Sequence, residues 1–426
     1  MTELIIPAEA PDLNSLKERR MDRIARRAVL SLLKRMVHGR ITLVEDGRRH
    51  HFGEHSDRFS LQADITVHHP QFYTRIFLGG SIGAAEAYME GLWAADDLTT
   101  VMRILALNQE AFEYMEKGLA RLTAPAYKFY HYVRKNTKMG SRKNIMAHYD
   151  LGNDFYALLL DETMTYSCGI FETEDSTLKQ ASEAKYDRIC RKLRLAAGDR
   201  ILEIGTGWGG FAVHAARNYG AHVTTTTISD EQHRFAQGRI QEAGLEDHIT
   251  PLNKDYRELN GKFDKLVSIE MIEAVGHHYL KTFFRTCGRL LKDDGLMALQ
   301  AITIRDQIFD RHKRSVDFIK RYIFPGSCIP SITAISSAVA RATDLRLVHL
   351  EDITPHYART LHEWRRRFFC NIDRIRALGF SDTFIRMWEY YLCYCEGGFS
   401  ERYIGDVQII MAKPMCRQDF SSARQS

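Results

Sequence analysis

The stretch ILEIGTGWGG at 201–210 constrains the fold most: an apolar strand leads into a turn with glycine at four of its last six positions. Glycine after a buried strand lets the backbone approach a ligand and lets the next helix begin tightly. From about residue 180 to 300, strand-like and helix-like segments alternate around this turn. That alternation predicts a doubly wound α/β sheet, in which ligands bind at the carboxyl ends of the strands.

Glu203 stands two residues before Gly205, at the end of the predicted strand. A carboxylate there would repel the pyrophosphate of a dinucleotide but would attract a cationic, amino-acid-like ligand. S-adenosylmethionine (SAM) carries an ammonium and a sulfonium group and no phosphate. The turn, with Gly205 and Gly207 approaching the ligand, therefore predicts a SAM site; the alternative is a tight turn without a ligand.

Polar residues follow the next two predicted strands and supply candidates for the rest of this cofactor. In KDYRELN, Asp255 is a candidate for the adenine amino group and Tyr256 for covering the adenine face. Candidates for the ribose hydroxyls are Thr227, Ser229, Asp230 and Gln232.

The N-terminal part of the chain has a different pattern. Residues 17–40 are predicted to form a basic amphipathic helix, which is typical of proteins at an anionic membrane surface; the alternative is a solvated helix packed on its own domain. Residues 41–110 predict a small α+β domain with strands at ITLVEDG, DITVHH and YTRIFLG and a helix at SIGAAEAYMEGLW. The apolar face of the basic helix is predicted to consist of Met21, Ile24, Ala25, Ala28, Leu32 and Met36.

The composition and the residue patterns of the chain limit which classes of protein it can belong to. No apolar run approaches the ~18–20 residues that span a bilayer, and the N-terminus lacks a signal-peptide pattern, so a cytoplasmic location is expected. The eight cysteines include no CxxC pair, and we predict no metal site. The net charge of +5 favours an anionic partner.

Five stretches in order resemble cyclopropane-fatty-acyl-phospholipid synthases and the related mycolic acid cyclopropane synthases. They are AHYDLGNDFYALLLDETMTYSCGIF, ILEIGTGWGGFAVHAA, SIEMIEAVGHHY, PHYARTLHEW and YYLCYCEGGFSERYIGDVQ. The resemblance implies a class I SAM-dependent methyltransferase fold, with a seven-stranded, mostly parallel sheet and a smaller N-terminal α+β domain. We expect a lipid- or membrane-associating domain at 1–125 and a SAM-dependent catalytic domain at 126–426.

The resemblance also implies a reaction: a methylene group passes from SAM to the cis double bond of an unsaturated phospholipid acyl chain and forms a cyclopropane ring. Aromatic faces stabilise the carbocation that forms, and bound bicarbonate removes a proton from it. By the same resemblance, the bicarbonate ligands are Cys168, Glu273, Tyr357 and the backbone at Ile302. Tyr149 and Tyr166 would join the glycine turn, Thr227, Gln232 and Tyr256 around SAM.

The sequence departs from the family at Gln300, where the LLHTI motif has histidine. Glutamine donates a hydrogen bond but carries no charge, which puts bicarbonate binding and ring closure in question. The alternative product is a methyl- or methylene-branched chain without a ring. Glu270, one turn before Glu273, is an alternative acid for hydrogen-bonding the ligand.

The expected partners are unsaturated phospholipids at the inner face of the membrane, where the protein would bind peripherally, and a second copy in a homodimer. Two other functions stay open: a membrane-binding module with an inactive SAM domain, and a methyltransferase for nucleic acids or small molecules. No aromatic motif for a flipped base is present, so we expect no nucleic-acid partner.

Overall fold

The computed structural model describes residues 19–54, 60–110 and 151–420. Its N-terminal part is a four-stranded sheet of order β2-β1-β3-β4 covered by helices. Strands β1 and β3 are parallel and the other pairs antiparallel. The elements are α1 (Arg20–Leu33), β1 (Gly39–Glu45), β2 (Arg48–Glu54), β3 (Gln62–Val67), α2 (Gln71–Met89), β4 (Trp93–Ala95) and α3 (Leu98–Leu107).

Two N-terminal predictions need correction. YTRIFLG is not a strand but part of α2, because its buried side chains, Tyr73 and Ile76, recur at helical spacing. The predicted apolar face of α1 is wrong in part. Met21 and Ile24 are 45% and 54% exposed, because the buried face is rotated to Asp22, Ala25, Val29 and Leu33.

The larger sheet has seven strands in the order β10-β11-β9-β8-β5-β6-β7, which confirms the predicted fold class. Strands β5 to β9 are parallel to their neighbours in this group, and β11 runs antiparallel to both β9 and β10. The strands are β5 (Arg200–Ile204), β6 (His222–Thr227), β7 (Ile249–Asn253), β8 (Phe263–Ile269), β9 (Leu291–Ile304), β10 (Arg346–Asp352) and β11 (Ile404–Ala412).

Helices cover both faces of this sheet. Strand β5 lies between β6 and β8, where the strand order reverses, so its carboxyl end opens into the crevice that binds ligands in such folds. The α-helices are α4 (Asn153–Leu159), α5 (Leu178–Lys192), α6 (Gly210–Tyr219), α7 (Asp230–Glu242), α8 (Ile272–Val275), α9 (Leu280–Leu290), α10 (Asp306–His312), α11 (Ile332–Ala342), α12 (Thr354–Cys370), α13 (Ile372–Ala377) and α14 (Asp382–Ser400).

Helix α14 joins the two parts. It packs against α2 and α3, and one apolar core continues from the small sheet into the aromatic side chains of α12 and α14. The Tyr88 hydroxyl donates a 2.8 Å hydrogen bond to Glu389, and Arg103 pairs with Glu401 at 2.6 Å. The predicted domain boundary at 125/126 lies outside the described residues, so the division stays a prediction.

Within the described ranges, no helix has both the length and the apolar character needed to cross a membrane. The same residues hold no cluster of three or more His, Cys, Asp or Glu side chains arranged for a metal ion.

Candidate active site

A cavity of about 550 Å³ runs from the glycine turn after β5 to the small N-terminal sheet. At the N-terminal end its wall is apolar, with side chains from α1, β1, α2 and α3 such as Val29, Leu43, Phe72 and Val101. Seven of the predicted SAM-binding residues line the other end: Tyr166, Glu203, Gly205, Gly207, Thr227, Gln232 and Tyr256. The eighth, Tyr149, lies outside the described residues.

The glycine turn has the backbone geometry that its sequence predicts. Gly205 has a φ of +104°, and its amide donates a 3.0 Å hydrogen bond to the carbonyl of Thr226. Gly207 has a φ of +52°, and a Cβ added there would meet nothing within 4 Å. The turn therefore leaves open space over its backbone, which a side chain would fill. The Trp208 indole fixes the turn to α4 through a 2.7 Å hydrogen bond to Asn153.

Glu203 is buried at the end of β5 and faces the cavity. Its Oε2 accepts a 2.6 Å hydrogen bond from the Thr225 hydroxyl. Burial raises the pKa of Glu203 to about 8. A cationic ligand beside it would favour the ionised form, so the site is suited to positive charge.

The ribose candidates divide into two pairs. Thr227 and Gln232 line the cavity, where the Thr227 hydroxyl donates to the Gln232 side-chain oxygen at 2.9 Å. Ser229 and Asp230 do not line it. Ser229 instead caps α7 by accepting from the amide of Gln232, which explains its place in the sequence.

The adenine candidates both line the cavity. The Asp255 carboxylate accepts two hydrogen bonds from the Arg257 guanidinium, at 2.5 and 2.8 Å. The Tyr256 ring stands edge-on to Phe283 at 5.5 Å between centroids. Asp255 is thus held in place by a cation before any ligand binds.

Glu270 accepts hydrogen bonds from several of the residues predicted to act in catalysis. It follows β8 directly and lines the cavity. Its Oε1 accepts hydrogen bonds from the Cys168 amide at 2.9 Å and the Gln300 amide group at 2.7 Å. Its Oε2 accepts a 2.6 Å hydrogen bond from the Tyr357 hydroxyl.

The backbone at Glu270 is strained. Its φ of +47° is in the left-handed region, which costs a non-glycine residue about 1 kcal/mol or more. Such strain persists where the surroundings hold a side chain in place, as three hydrogen bonds do here.

Glu273, the acid predicted to bind bicarbonate, lines the cavity beside Glu270. Its Oε1 accepts a 2.6 Å hydrogen bond from the Ile302 amide, and its buried Oε2 has no partner within the described residues. Burial, together with the charge of Glu270, raises the pKa of Glu273 to about 8. Near neutral pH, Glu273 is therefore mostly protonated.

The donors predicted for bicarbonate do not fit that ion as they stand. The Cys168 amide and the Tyr357 hydroxyl point at Glu270, as does Gln300 in place of the family histidine, and the Ile302 amide points at Glu273. A bound anion would have to displace the Glu270 carboxylate from three of these donors and would then lie beside its negative charge, which like charge opposes.

Behind Glu270 lies a buried polar layer that the sequence did not reveal. The Gln408 amide donates to the Gln300 oxygen at 3.0 Å, which turns the Gln300 nitrogen toward Glu270. Asp406, on the same strand as Gln408, has a strongly raised pKa because it is buried near the charge of Glu270. The thiol pKa of Cys168 is raised well above its usual range by burial, which disfavours a nucleophilic thiolate.

Aromatic rings form the wall next to this group. The hydroxyls of Tyr166 and Tyr391 are 2.9 Å apart, and the Tyr166 ring lies 5.1 Å from Trp364. The Tyr357 ring stacks on Phe399 at 4.2 Å. Ring faces of this kind attract positive charge without a nucleophile that would trap it.

Residues 136–409 match the family model described as mycolic acid cyclopropane synthetase. The chain belongs to this family. It is 38% identical to tuberculostearic acid methyltransferase UfaA1 of Mycobacterium tuberculosis over 348 residues, covering 80% of this chain and 81% of that protein. It is 37% identical to cyclopropane-fatty-acyl-phospholipid synthase of Escherichia coli K12 over 362 residues, covering 83% and 89%.

A solved structure supports the same family assignment. The mycolic acid cyclopropane synthase CmaA1, crystallised with SAH and CTAB, matches with a TM-score of 0.60 and 33% identity, over 64% of this chain and 98% of that one. The chain is therefore a SAM-dependent methyltransferase of the mycolic acid cyclopropane synthetase family, which acts on lipids. The predicted family, enzyme class and SAM cofactor are confirmed, whereas the roles of individual site residues stay predictions.

Proposed function

We propose that this enzyme transfers the methyl carbon of SAM to a cis double bond of an unsaturated phospholipid acyl chain and closes a cyclopropane ring. The observation that carries the proposal is the single cavity that joins the SAM turn, an aromatic wall and a long apolar end. Its relatives at 37% identity include an enzyme named for this reaction.

The chain's own residues have three tasks in this reaction. When bound, SAM supplies an electrophilic methyl group. Glu203 and the glycine turn hold the cationic cofactor at the carboxyl end of β5. Tyr166, Tyr357 and Phe399 line the cavity and stabilise the positive carbon that the double bond becomes. The buried wall excludes water, which would otherwise trap that carbon.

The N-terminal domain takes part by holding the acyl chain. Val29, Leu33 and Val101 line the apolar end of the cavity, far in sequence from the SAM turn. A fatty acyl chain is long and apolar, so it gains free energy along the whole of this wall. We therefore assign residues 1–125 a lipid-associating role.

Helix α1 supports peripheral binding to the membrane. One of its faces lines the cavity, and the opposite face exposes Arg20, Arg23, Arg27 and Lys34 to solvent. Met21 and Ile24 are exposed between these cations. Basic side chains interleaved with apolar ones suit an anionic phospholipid surface, from which an acyl chain would enter.

A second product is favoured by two observations. Gln300 stands where the family has histidine, and a fatty-acid methyltransferase, UfaA1, is among the relatives at 38% identity. The same positive carbon would then give a methyl- or methylene-branched chain. Replacing Gln300 by His is expected to raise the cyclopropane share if this position sets the product.

The test is to incubate the purified chain with SAM and vesicles of unsaturated phospholipid, then analyse the fatty acids by mass spectrometry and NMR. Release of S-adenosylhomocysteine with a ring on the acyl chain supports the proposal. The same mass gain with a carbon–carbon double bond at the branch supports the second product. Turnover on RNA and none on lipid would contradict both.

A further inference from the structure

We propose that Glu270 is the base that removes the proton from the transferred methyl group, in the position that the family resemblance assigns to bicarbonate. The inference rests on the proposed function. Its basis is that two residues predicted to bind bicarbonate, Cys168 and Tyr357, donate hydrogen bonds to this one carboxylate, and so does Gln300, which stands in place of the family histidine.

The arrangement around Glu270 is that of a held anion. Its two oxygens accept from the Cys168 amide, Gln300 and Tyr357 at 2.6–2.9 Å. A carboxylate is planar with two equivalent oxygens, as bicarbonate is on the side that accepts hydrogen bonds, so one can take the place of the other. Gln300 suits this exchange, since its neutral amide needs only to donate, and Gln408 holds it in the required orientation.

The other carboxylates of the site are less suited to this step. Glu273 also lines the cavity, but burial and the nearby charge of Glu270 keep it mostly protonated. Asp406 is buried behind Gln300 and does not line the cavity. Glu203 stands at the SAM turn, where its task is to meet a cation. Of these four carboxylates, Glu270 is the one that lies next to the aromatic wall and has both access to the cavity and oriented donors.

The step balances without a further reagent. The π electrons of the double bond form a bond to the methyl carbon as the carbon–sulfur bond breaks toward sulfur, which leaves the adjacent carbon positive. An oxygen of Glu270 takes a proton from the new methyl group, and the electrons of that C–H bond close the ring. The proton then passes from Glu270 to water.

Activity assays with the full chain, SAM and unsaturated phospholipid vesicles test the assignment. In buffer freed of carbon dioxide, the wild type is expected to keep its rate, with no increase on adding bicarbonate. Glu270→Gln is expected to lose about 100-fold or more of product formation. Glu246→Gln, the same change at an exposed position, is the control and should keep the wild-type rate.

Two readouts separate a base from a structural residue. SAM binding by Glu270→Gln, measured by calorimetry, should stay within about twofold of wild type, because the SAM turn is untouched. Its residual rate should fall further with SAM deuterated at the methyl group, since proton removal becomes the slow step. A Glu270→Ala variant, in which the three donors are exposed, is expected to regain product formation with added bicarbonate.

The outcomes distinguish the two proposals. A wild-type chain that releases no S-adenosylhomocysteine with any unsaturated lipid overturns the proposed function. An active wild type that needs bicarbonate, or a Glu270→Gln variant as active as wild type, overturns the assignment of Glu270 alone. Loss of activity in Glu273→Gln with full activity in Glu270→Gln would move the base to Glu273.

Discussion

The Thr225 hydroxyl donates a 2.6 Å hydrogen bond to the Glu203 carboxylate across the neighbouring strands β6 and β5. Both side chains are buried, and burial raises the pKa of Glu203 to about 8. A carboxylic acid with a pKa of about 8 is mostly protonated at pH 7, so a cationic ligand that binds beside Glu203 must cause it to lose its proton. The affinity for that ligand then depends on pH.

We expect SAM to bind more tightly as the pH rises toward 8. Below that value Glu203 holds a proton that the bound cation disfavours, so the affinity should increase by up to about tenfold per pH unit. Above it the affinity should level off. Calorimetry across this range measures the effect. Glu203→Gln should flatten the profile and weaken binding at pH 8; an unchanged profile in that variant would contradict a contact between Glu203 and the cofactor.

The apolar end of the cavity predicts a limit on acyl-chain length. Val101 is fully buried on α3 and lines that end. Val101→Phe would fill part of the space, so the preferred substrate should shift to shorter chains and KM for long ones should rise. Val339→Phe is the control, because it overpacks the core at a buried position that does not line the cavity. Equal chain-length profiles in the two variants would contradict the proposed role of the N-terminal domain.

The exposed face of α1 predicts salt-dependent binding to anionic vesicles. Each basic side chain near such a surface contributes about 1 kcal/mol. Reversing Arg23 and Arg27 to Glu should therefore weaken vesicle binding about 30-fold or more in a sedimentation assay, which corresponds to roughly 2 kcal/mol or more. Reversing the exposed Lys179 and Arg217 is the matched control. Equal losses in the two double variants would place the membrane contact elsewhere.

The sequence predicted the large sheet well because strand-like and helix-like segments alternate along it, and this alternation is visible in local sequence patterns. The glycines after β5 marked the SAM turn for the same local reason. It failed at 73–79, where aromatic and β-branched residues favour a strand but tertiary packing selects helix α2. In that segment, Tyr73 and Ile76 are buried at helical spacing while Arg75 is exposed.

The hydrogen-bonded group around Glu270 could not be predicted from the sequence, for a different reason. Its hydrogen bonds join residues separated by 102, 30 and 87 positions, to Cys168, Gln300 and Tyr357. Motif resemblance placed all three residues in the predicted site, but it assigned Cys168 and Tyr357 to an external anion and treated Gln300 as a departure from the family. Glu270 entered as an alternative acid, and the geometry that makes it the acceptor depends on a positive φ that no spacing reveals.

The close contact between α14 and α3 predicts that the stability of the chain depends on the packing of α14 against the N-terminal part. A Cβ at Gly397 would lie 2.7 Å from the Met102 Cβ, closer than packing allows. Gly397→Ala should therefore lower the free energy of unfolding by about 1–3 kcal/mol. Gly238→Ala, on an exposed position of α7 with nothing within 4 Å, should instead raise it by about 0.5–1 kcal/mol. Thermal denaturation of both variants measures the difference, and a Gly397→Ala variant as stable as Gly238→Ala would show that the two helices do not pack this closely.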